Sequence, residues 1–369
     1  MKIAILGTRG IPNQYGGFEQ FAEYLSVGLV QKGHDITVYN SHSHSYQKDD
    51  FNGVKIRHIY DPEQTIGTMG QFVYDFLCIL DTKKEDYDII LQLGYTSSSV
   101  FFSLHPSKSI IVTNMDGLEW KRTKYTPKVQ KFLKWAESLA VRKSDVLISD
   151  SLGIQTYLQD KYNADSFYIP YGSDLIIEYN ELICKEYNVK KYNYDMLIAR
   201  LEPENNIETI LDGVAASKNK RDFLVIGNHA TKYGQYLKKK FSHIKHIVFV
   251  GGVYNKNTLD SLRYFSNLYF HGHTVGGTNP SLLEAMGSSA LICAHDNQFN
   301  SAILGSDAFY FKNSQDLIDH IENVSKERYS LYLKNNTQKI KELYNWNAII
   351  EQYENIFQAQ SNFHQTQHH

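Results

Sequence analysis

Short, continuously apolar runs alternate along the chain with longer segments in which apolar residues recur at helical spacing. The first run, residues 3–6, is followed by a glycine-rich loop and then by a helical pattern over residues 18–29. Short apolar runs are typical of strands that are buried on both faces of a parallel sheet. Their alternation with helices predicts an α/β fold built on doubly wound parallel sheets.

The predicted strands fall into two series, and each series indicates a domain of its own. The first series contains residues 3–6, 36–39, 54–59, 89–93, 110–113 and 146–148, and the second contains residues 196–199, 223–226, 247–250, 268–270 and 291–293. Proline and glycine interrupt the pattern at Ile169-Pro170-Tyr171-Gly172, where we place the boundary. A chain of 369 residues suits two domains at about 150 residues each. We predict two doubly wound domains, over residues 1–171 and 172–345, that face a cleft holding one ligand.

Composition and charge narrow the classes of protein to which the chain can belong. Apolar residues make up 42% and charged residues 21%, which indicates a folded core rather than a disordered chain. The formal net charge of -2 excludes a globally basic nucleic-acid-binding protein. The three cysteines include no C-x-x-C pair, which argues against a zinc site and fits a reducing cytoplasm. No apolar run reaches the roughly 18 residues of a membrane span, so we expect any membrane contact to be peripheral.

The loop after the first strand has the composition of an anion-binding turn. Residues 7–17 include Gly16, Gly17 and the cation Arg9, and a helical pattern follows them directly. Backbone N–H groups at a helix N-terminus attract an anion, and glycines let it approach the backbone closely. The dinucleotide fingerprint G-x-G-x-x-G is absent, and the second strand ends in Asn40 without the acidic residue that binds a ribose. We predict that this loop binds a phosphate or a sugar; a tight turn without a ligand is the alternative.

A second glycine loop lies between a predicted strand and a predicted helix of the second domain. Its candidate ligand-binding residues are His273, Gly276, Gly277, Thr278 and Asn279. Glu284 lies about one turn into the helix that follows, where its carboxylate could accept hydrogen bonds from two vicinal hydroxyls of a ribose. A solvated helix residue is the alternative for Glu284.

Two pairs of residues superficially match metal-binding patterns. His271 and His273 could ligate a metal, but no carboxylate follows them at ligand spacing. Asp86 and Asp88 form a D-x-D pair, which we interpret as the polar entry to the strand at residues 89–93. We therefore expect no metal site, and we interpret the histidines as the lining of a polar cleft.

Two further strand ends carry residues that suit phosphate and sugar. Arg200 follows the strand at residues 196–199, where its planar guanidinium suits a diphosphate. A structural ion pair is the alternative for Arg200. The loop after the strand at residues 110–113 combines acids, an indole and cations, namely Asp116, Glu119, Trp120, Lys121 and Arg122. That mixture suits a sugar acceptor and its phosphate, whereas a plain surface loop is the alternative.

The segment from residue 119 to residue 143 is strongly basic, although the chain as a whole is not. It has two acids and eight cations, and the cations are Lys121, Arg122, Lys124, Lys128, Lys131, Lys134, Arg142 and Lys143. Trp120, Phe132 and Trp135 are interleaved with them. Because basic stretches with aromatic residues dock on anionic membranes, we predict a peripheral membrane face here. A solvated helix face is the alternative, and we expect no nucleic-acid partner because no nucleic-acid-binding motif accompanies the segment.

Together these motifs resemble the family-4 glycosyltransferases over nearly the whole chain. Gly16-Gly17-Phe18-Glu19 resembles the family's Gly-Gly-x-Glu loop, and Ile169-Pro170-Tyr171-Gly172 resembles its inter-domain segment. The resemblance implies the GT-B fold, with a C-terminal helix over residues 346–358 that crosses back to the first domain and a polar tail over residues 359–369. It also implies that the second domain binds a nucleotide-sugar donor and that the first domain binds the acceptor.

Three longer segments resemble, more narrowly, the bacterial rhamnosyltransferase branch that builds cell-surface polysaccharides. They are residues 116–122, 199–206 and 275–284. The chain departs from the broad family at three positions. Gly276 stands where a glutamate is usual, Asn205 stands where a lysine is usual, and Asp116 stands where a histidine is usual.

These departures shift the expected donor contacts to other groups. Lys232, which follows Gly227, or Arg9 could supply the positive charge of the missing lysine. The backbone N–H groups of Gly277 and Thr278 could hold the sugar hydroxyls in place of the missing glutamate.

The resemblance implies a metal-independent, retaining glycosyltransferase that uses no cofactor. We expect it to transfer L-rhamnose from dTDP-rhamnose to a lipid-linked diphosphate glycan in capsule or O-antigen synthesis, on the cytoplasmic face of a bacterial plasma membrane. Arg200 would stabilise the leaving diphosphate, Glu284 would hold the ribose, and Asp116 would contact the reacting sugar or take the acceptor's proton. The alternatives are a transferase for a UDP- or GDP-hexose, a sugar-nucleotide epimerase, and a non-catalytic binder on the same fold.

Overall fold

The chain divides into two compact units in a computed structural model that describes residues 1–14, 16–122, 125–274 and 276–367. One unit contains residues 1–171 and the helix that begins at Trp346, and the other contains Gly172–Asn345. Each unit is built on its own, largely parallel sheet. The α/β architecture with two doubly wound sheets is therefore confirmed.

The first unit has a central sheet that is parallel apart from one edge pair. Its strands are β1 (Lys2–Leu6), β2 (Asp35–Ser41), β3 (Asp50–Phe51), β4 (Val54–Ile59), β5 (Ile89–Leu93), β6 (Ile110–Asn114), β7 (Val146–Ser149) and β8 (Phe167–Tyr168). They lie in the order β3-β4-β2-β1-β5-β6-β7-β8, and only the β3 and β4 pair is antiparallel among the described strands. Ile3 pairs with Ile89 and Ile5 pairs with Leu91, and all four are 0% exposed. Burial on both faces explains why these strands are apolar along their length.

The helices of the first unit connect these strands. They are α1 (Gly17–Gln31), α2 (Glu63–Ile66), α3 (Met69–Thr82), α4 (Pro127–Lys143) and α5 (Leu152–Tyr162), with short 3-10 helices at Ser99–Leu104 and Glu119–Lys121. Helix α4 carries most of the basic segment. It begins where the Thr126 side chain accepts a hydrogen bond from the backbone of Val129 and where Pro127 occupies the first turn. Both features favour the start of a helix.

The second unit has a smaller, wholly parallel sheet among its described strands. These are β9 (Tyr194–Ile198), β10 (Asp222–Ile226), β11 (Ile247–Gly251), β12 (Leu268–His271), β13 (Ile292–His295) and β14 (Phe309–Phe311). Their order is β11-β10-β9-β12-β13-β14. Phe223, Phe270 and Phe311 pack in one buried core. The sequence pattern did not predict β14, because a three-residue edge strand is too short to show a period.

The helices of the second unit follow its strands in alternation. They are α6 (Leu182–Glu186), α7 (Ile207–Ala216), α8 (Lys232–Lys240), α9 (Lys256–Phe265), α10 (Pro280–Gly287), α11 (Gln298–Leu304), α12 (Ser314–Asn323) and α13 (Ser330–Leu343), with short 3-10 helices at Pro203–Asn205 and Lys326–Tyr329. Helix α10 begins near residue 280, where the sequence pattern places it. The loop before α7 follows β9 and the loop before α10 follows β12, so both begin at the carboxyl edge of the sheet.

The last helix, α14 (Trp346–Gln367), packs on the first unit. Trp346 stacks on Tyr24 of α1 with ring centroids 4.3 Å apart, and Glu354 forms an ion pair with Lys32 at 2.8 Å. The helix runs on through most of the segment predicted as a polar tail. It can do so because residues 346–367 contain no glycine or proline, and polar side chains such as glutamine do not stop a helix.

Candidate functional site

Two loops of the second unit are joined at the carboxyl edge of the sheet, where doubly wound folds bind their ligands. They follow the adjacent strands β9 and β12. Asn206 Nδ2 donates to the backbone carbonyl of Gly272 across 2.8 Å, and Thr274 Oγ1 donates to the carbonyl of Glu204 across 2.8 Å. A Cβ atom at position 272 would lie 2.0 Å from the Asn205 carbonyl oxygen, so this approach requires glycine. The described parts of the two loops therefore form one rim, which we call the donor rim (residues 199–206, 272–274 and 276–279).

Arg200 lies on the donor rim directly after β9, and its side chain is exposed. Its backbone carbonyl accepts a hydrogen bond from Asn205 Nδ2 at 2.7 Å. The amide nitrogen of Asn205 is thus used within the loop, and Asn205 is only 6% exposed. Asn205 therefore shapes the turn that carries Arg200, and a donor contact by Asn205 stays a prediction.

The loop after β10 lies beside the segment that carries Arg200. A Cβ atom at position 227 would be 2.2 Å from the Ala199 carbonyl oxygen, so the close packing of this loop requires glycine. Lys232 is exposed in the first turn of α8, which Thr231 caps by accepting a hydrogen bond from the Gly234 N–H at 3.0 Å. Lys232 therefore remains a candidate cation on a neighbouring loop.

The glycine loop before α10 contains one residue that caps the helix and two glycines that are partly exposed. Asn279 Oδ1 accepts from the Ser281 N–H at 2.9 Å, so the Asn279 side chain caps α10. Thr278 is 3% exposed, and Gly276 and Gly277 are partly exposed. Val275, at the start of the motif, lies outside the described residues. Backbone groups at Gly276 and Gly277 are the accessible part of this loop.

Glu284 of α10 is held by a buried arginine that the sequence pattern did not single out. Arg263 Nη2 donates to Glu284 Oε2 at 2.6 Å, and Arg263 Nη1 donates to Asp260 Oδ1 at 3.1 Å. The Arg263 side chain is 2% exposed, whereas that of Glu284 is 22% exposed. Burial by itself would lower the pKa of Arg263, but the charges of Glu284 and Asp260 outweigh burial and raise that pKa. Glu284 is therefore a fixed carboxylate that keeps an exposed edge.

The two histidines at the end of β12 stack on each other. The rings of His271 and His273 are nearly parallel, with centroids 4.5 Å apart. Burial lowers the pKa of His271 well below its usual value, and the charges of His273 and Arg263 lower it further, so His271 is a neutral ring. The His273 carbonyl accepts from Asn297 Nδ2 at 2.9 Å, which ties the donor rim to the loop after β13. Among the described residues, no group of three or more histidine, cysteine or acidic side chains could hold a metal ion.

The glycine loop of the first unit meets carboxylates of the chain itself. The backbone N–H of Arg9 donates to Glu19 Oε1 at 3.0 Å, and that of Asn13 donates to Glu23 Oε2 at 2.5 Å. The Arg9 guanidinium donates from Nε and Nη2 to the two oxygens of Glu63 at 2.9 and 2.6 Å. Arg9 as a donor-phosphate contact stays a prediction, and in this structure its guanidinium is paired with Glu63. Gly16 and Gly17 lie at the start of α1, beside the acidic side chain of Glu19.

Asp116 lies directly beyond β6 in a left-handed backbone conformation, with φ at 50°. Aspartate and asparagine tolerate this conformation better than most residues, and the Asp116 N–H is held by Asn114 Oδ1 at 3.0 Å. Burial and, to a smaller extent, the charge of Glu119 raise the pKa of Asp116, Arg122 opposes them, and the pKa is raised to about 6. Glu119 and Arg122 pair with each other at 2.7 Å. The loop thus carries a carboxylate that titrates just below neutral pH.

A second residue missed by the sequence pattern is Glu137 of α4, which is 1% exposed. Its Oε2 accepts from Trp120 Nε1 and from the Tyr95 hydroxyl, each at 3.2 Å. Its Oε1 accepts from the Tyr157 and Tyr162 hydroxyls, each at 2.6 Å. Burial, together with the Glu137 charge, raises the pKa of both tyrosines, so they stay protonated donors. Glu137 therefore fixes Trp120 at the base of the 116–122 loop.

The basic segment presents two different faces. Lys134 Nζ lies 3.8 Å from the centroid of the Trp120 ring, and Lys121 Nζ lies 5.5 Å from it. Elsewhere on α4, Trp135 is 49% exposed and Val129 is 38% exposed. Lys124 lies outside the described residues. No helix in the described part of the chain combines the length and the apolar character needed to cross a bilayer.

Comparison with known proteins identifies the fold. The model of a family described as a domain of unknown function (DUF1972) matches residues 1–174. A Klebsiella pneumoniae protein described as an uncharacterized 42.6 kDa protein in the cps region is 40% identical over 67 residues, which cover 18% of this chain and 17% of that relative. Sucrose-phosphate synthase from Thermosynechococcus elongatus is 14% identical and superposes with a TM-score of 0.79, over 97% of this chain and 98% of its own. HepE of Anabaena in complex with UDP-glucose is also 14% identical, with a TM-score of 0.75 over 97% and 100% of the two chains.

The chain has the GT-B fold. These structural likenesses span nearly the whole chain, so both units belong to it. Within this GT-B chain the sequence pattern placed the loops after β6, β9 and β12 where the structure has them, because glycines and strand ends mark those loops. It did not locate Arg263 or Glu137, which act through partners on other elements. The only local signal for Glu137 is that it is one of two acids among eight cations.

Proposed function

We propose that the protein is a glycosyltransferase that binds a nucleoside-diphosphate sugar on its second unit. The observation that carries the proposal is the donor rim, which presents Arg200 on the loop after β9 and leads into α10 with its fixed Glu284. A guanidinium suits a diphosphate, and a carboxylate suits the paired hydroxyls of a ribose. The structurally similar HepE is known in complex with UDP-glucose, which supports this class of ligand.

Transfer requires the bond between the sugar's anomeric carbon and the diphosphate to break, so negative charge develops on the leaving group. We assign the stabilisation of that charge to Arg200, to the backbone N–H groups at the accessible Gly276 and Gly277, and to Lys232 as a further cation. Loss of one such contact typically costs about 3 kcal/mol of transition-state stabilisation. The chemistry of this donor set needs no metal, because the guanidinium and the amides meet the charge directly. Glu284 holds the ribose, and Arg263 keeps the Glu284 carboxylate in place.

We assign the acceptor to the first unit, at the 116–122 loop. Asp116 contacts the reacting sugar or takes the proton of the acceptor hydroxyl, and its pKa of about 6 leaves it ionised at neutral pH. Trp120, fixed by Glu137, supplies a flat surface on which a sugar ring can stack. Glu119 and Arg122, paired with each other, frame the same loop.

The finer assignment is L-rhamnose from dTDP-rhamnose, transferred with retention to a lipid-linked diphosphate glycan. It is supported by the three segments that resemble the rhamnosyltransferase branch, at residues 116–122, 199–206 and 275–284. A relative from a cps region supports a place in surface-polysaccharide synthesis. We further propose that the exposed face of α4 around Trp135 rests on the cytoplasmic face of the plasma membrane.

The test is a transfer assay with purified protein and a lipid-diphosphate glycan acceptor. dTDP-rhamnose, UDP-glucose and a GDP-hexose are supplied separately, with and without a chelator. We expect transfer from dTDP-rhamnose, insensitivity to the chelator, and a product with the donor's anomeric configuration. Transfer from another donor alone would correct the sugar, whereas binding without transfer from any donor would reject the enzymatic proposal.

A further inference from the structure

An open groove of about 480 Å³ runs between the 3-10 helix at Glu119–Lys121 and the first turns of α4. It is lined by Trp120, Lys121, Pro127, Gln130, Lys131 and Lys134. We propose that this groove, which we call the lysine groove, binds the diphosphate of the lipid-linked acceptor and is separate from the face of α4 that touches the membrane. The inference rests on the proposed function for the identity of the acceptor, but the binding itself can be measured without turnover.

The positive charges in the lysine groove favour the binding of an anion. Lys121, Lys131 and Lys134 are exposed, and within the described residues none of them forms an ion pair with a carboxylate. The two nearby acids are already used, because Glu119 pairs with Arg122 and Glu137 is buried under hydroxyl and indole donors. Three ammonium groups without a carboxylate partner match the doubly charged diphosphate of a lipid-linked glycan better than the single charge of one lipid headgroup.

The wall of the groove is held in place from within. Trp120 donates a hydrogen bond from Nε1 to Glu137. The ammonium of Lys134 lies 3.8 Å from the centroid of the same indole and makes a cation–π contact with it. Lys131 and Lys134 are three residues apart on α4, so they are neighbours on its surface. Two adjacent cations beside a fixed indole can meet the two phosphate groups of one ligand at once.

The proposed membrane face adjoins the lysine groove on the same helix, because Lys131 of the groove lies four residues before Trp135. Trp135 is 49% exposed, and Lys128, which is also exposed, precedes it by seven residues, or about two turns, and so shares its side of α4. Trp120, by contrast, is partly buried. Lys128 and Lys134 are therefore a matched pair: both are exposed lysines of one helix, but only Lys134 lines the groove.

The experiment measures inorganic pyrophosphate binding by tryptophan fluorescence in full-length protein that carries Arg200→Ala, so that the proposed donor site contributes little. Lys134→Gln, Lys134→Arg and Lys128→Gln are added in turn. We expect Lys134→Gln to weaken pyrophosphate binding about tenfold, the loss that follows removal of one charge-assisted hydrogen bond. Lys134→Arg retains the charge and should restore most of the affinity, and Lys128→Gln should leave it within about twofold.

Sedimentation with vesicles of phosphatidylcholine and phosphatidylglycerol separates the two faces. We expect Lys128→Gln to weaken vesicle binding more than Lys134→Gln does. Equal effects of the two substitutions on pyrophosphate would overturn the proposal, because they would indicate diffuse surface charge. Loss of vesicle binding alone in Lys134→Gln would also overturn it, since the groove would then hold a lipid headgroup. Absence of sugar transfer by the wild-type protein bears only on the proposed function and leaves the groove measurement intact.

Discussion

Arg263 donates a 2.6 Å hydrogen bond to Glu284 although the arginine side chain is only 2% exposed. The pair joins α9 to α10 beneath the donor rim, and Asp260 completes it from the other side. A buried guanidinium between two carboxylates fixes the direction of both. The Glu284 carboxylate consequently has little freedom to turn, whereas the carboxylate of an unpaired surface glutamate would rotate freely.

Replacement of Glu284 by glutamine tests its role at the donor. Glutamine keeps an oxygen that can accept from Arg263, so the fold should hold, but it loses the charge offered to the ribose hydroxyls. We expect donor binding to weaken by about 1.5–3 kcal/mol, as for a hydrogen bond to a charged group. Calorimetric titration with the donor nucleotide measures this change. An unchanged dissociation constant would show that the ribose is held elsewhere.

Replacement of Arg263 by methionine should act on stability. The substitution leaves Asp260 and Glu284 buried or half-buried without their common partner. Removal of one member of a buried ion pair costs about 3–5 kcal/mol. Urea unfolding of the Arg263→Met protein should therefore give a free energy of unfolding lower by that amount. If the free energy of unfolding decreased by less than about 1 kcal/mol, Lys256, whose Nζ lies 2.9 Å from Asp260 Oδ2, would be compensating for the lost arginine.

Arg200 should matter for turnover rather than for folding. Its side chain is exposed, so Arg200→Ala removes charge from the donor rim without opening a cavity. We expect kcat to fall by two to three decades, or about 3 kcal/mol, because the leaving diphosphate loses a charged partner. Arg328→Ala, an exposed arginine of the same unit, is the matched control and should leave kcat unchanged. Equal rates for the two variants would remove Arg200 from the mechanism.

Asp116 predicts a particular dependence of activity on pH. Its pKa, raised to about 6 by burial, means that the carboxylate forms as the pH rises through 6, so a step that needs the ionised group should speed up over that range. Asp116→Asn keeps a residue that tolerates the left-handed backbone and should abolish this limb of the profile along with most of the activity. The measurement is kcat against pH from 5 to 8. A wild-type profile that is flat across pH 6 would contradict the assignment.

The same raised pKa has a consequence for stability. Because the folded pKa lies above the ordinary value of 3.8, the unfolded chain ionises Asp116 at lower pH than the folded chain does. Its contribution therefore favours folding least above pH 6, and the wild-type protein should lose stability relative to Asp116→Asn as the pH rises from about 4 to about 6. Thermal unfolding of the two proteins at both pH values provides the comparison.

Glu137→Gln should separate the acceptor from the donor. Glutamine cannot accept from four donors as a carboxylate does, so the hold on Trp120 weakens. We expect the acceptor KM to rise about tenfold while the donor KM stays within about twofold, because hydrogen bonds to a charged group contribute about 1.5–3 kcal/mol each. A red shift in tryptophan emission would report the released indole. If both KM values rose together, Glu137 would be supporting the whole unit and not this loop.

The sequence predicted those features that depend only on residues close to one another along the chain. Strands such as residues 89–93 and the loop-to-helix turn at Pro280 follow from period and from proline placement, so the fold and the loops of the site could be predicted. Arg9 shows the limit of that approach. As a cation in a glycine loop it suited a phosphate, yet its partner is Glu63, which is 54 positions away and is brought near only by the fold. The positions of Arg263 and Glu137 could not be predicted for the same reason, since their hydrogen-bond partners lie on several different elements.

The packing of α14 has a consequence for how the chain is made. Tyr353 and Phe357 are 0% exposed, and Phe21 of α1 contacts Tyr353 with ring centroids 5.3 Å apart. The core of the earliest-synthesised unit is thus closed by residues that emerge from the ribosome after the entire second unit. During translation, the apolar surface of the first unit that α14 covers stays exposed until α14 has been synthesised. A chaperone could recognise that surface.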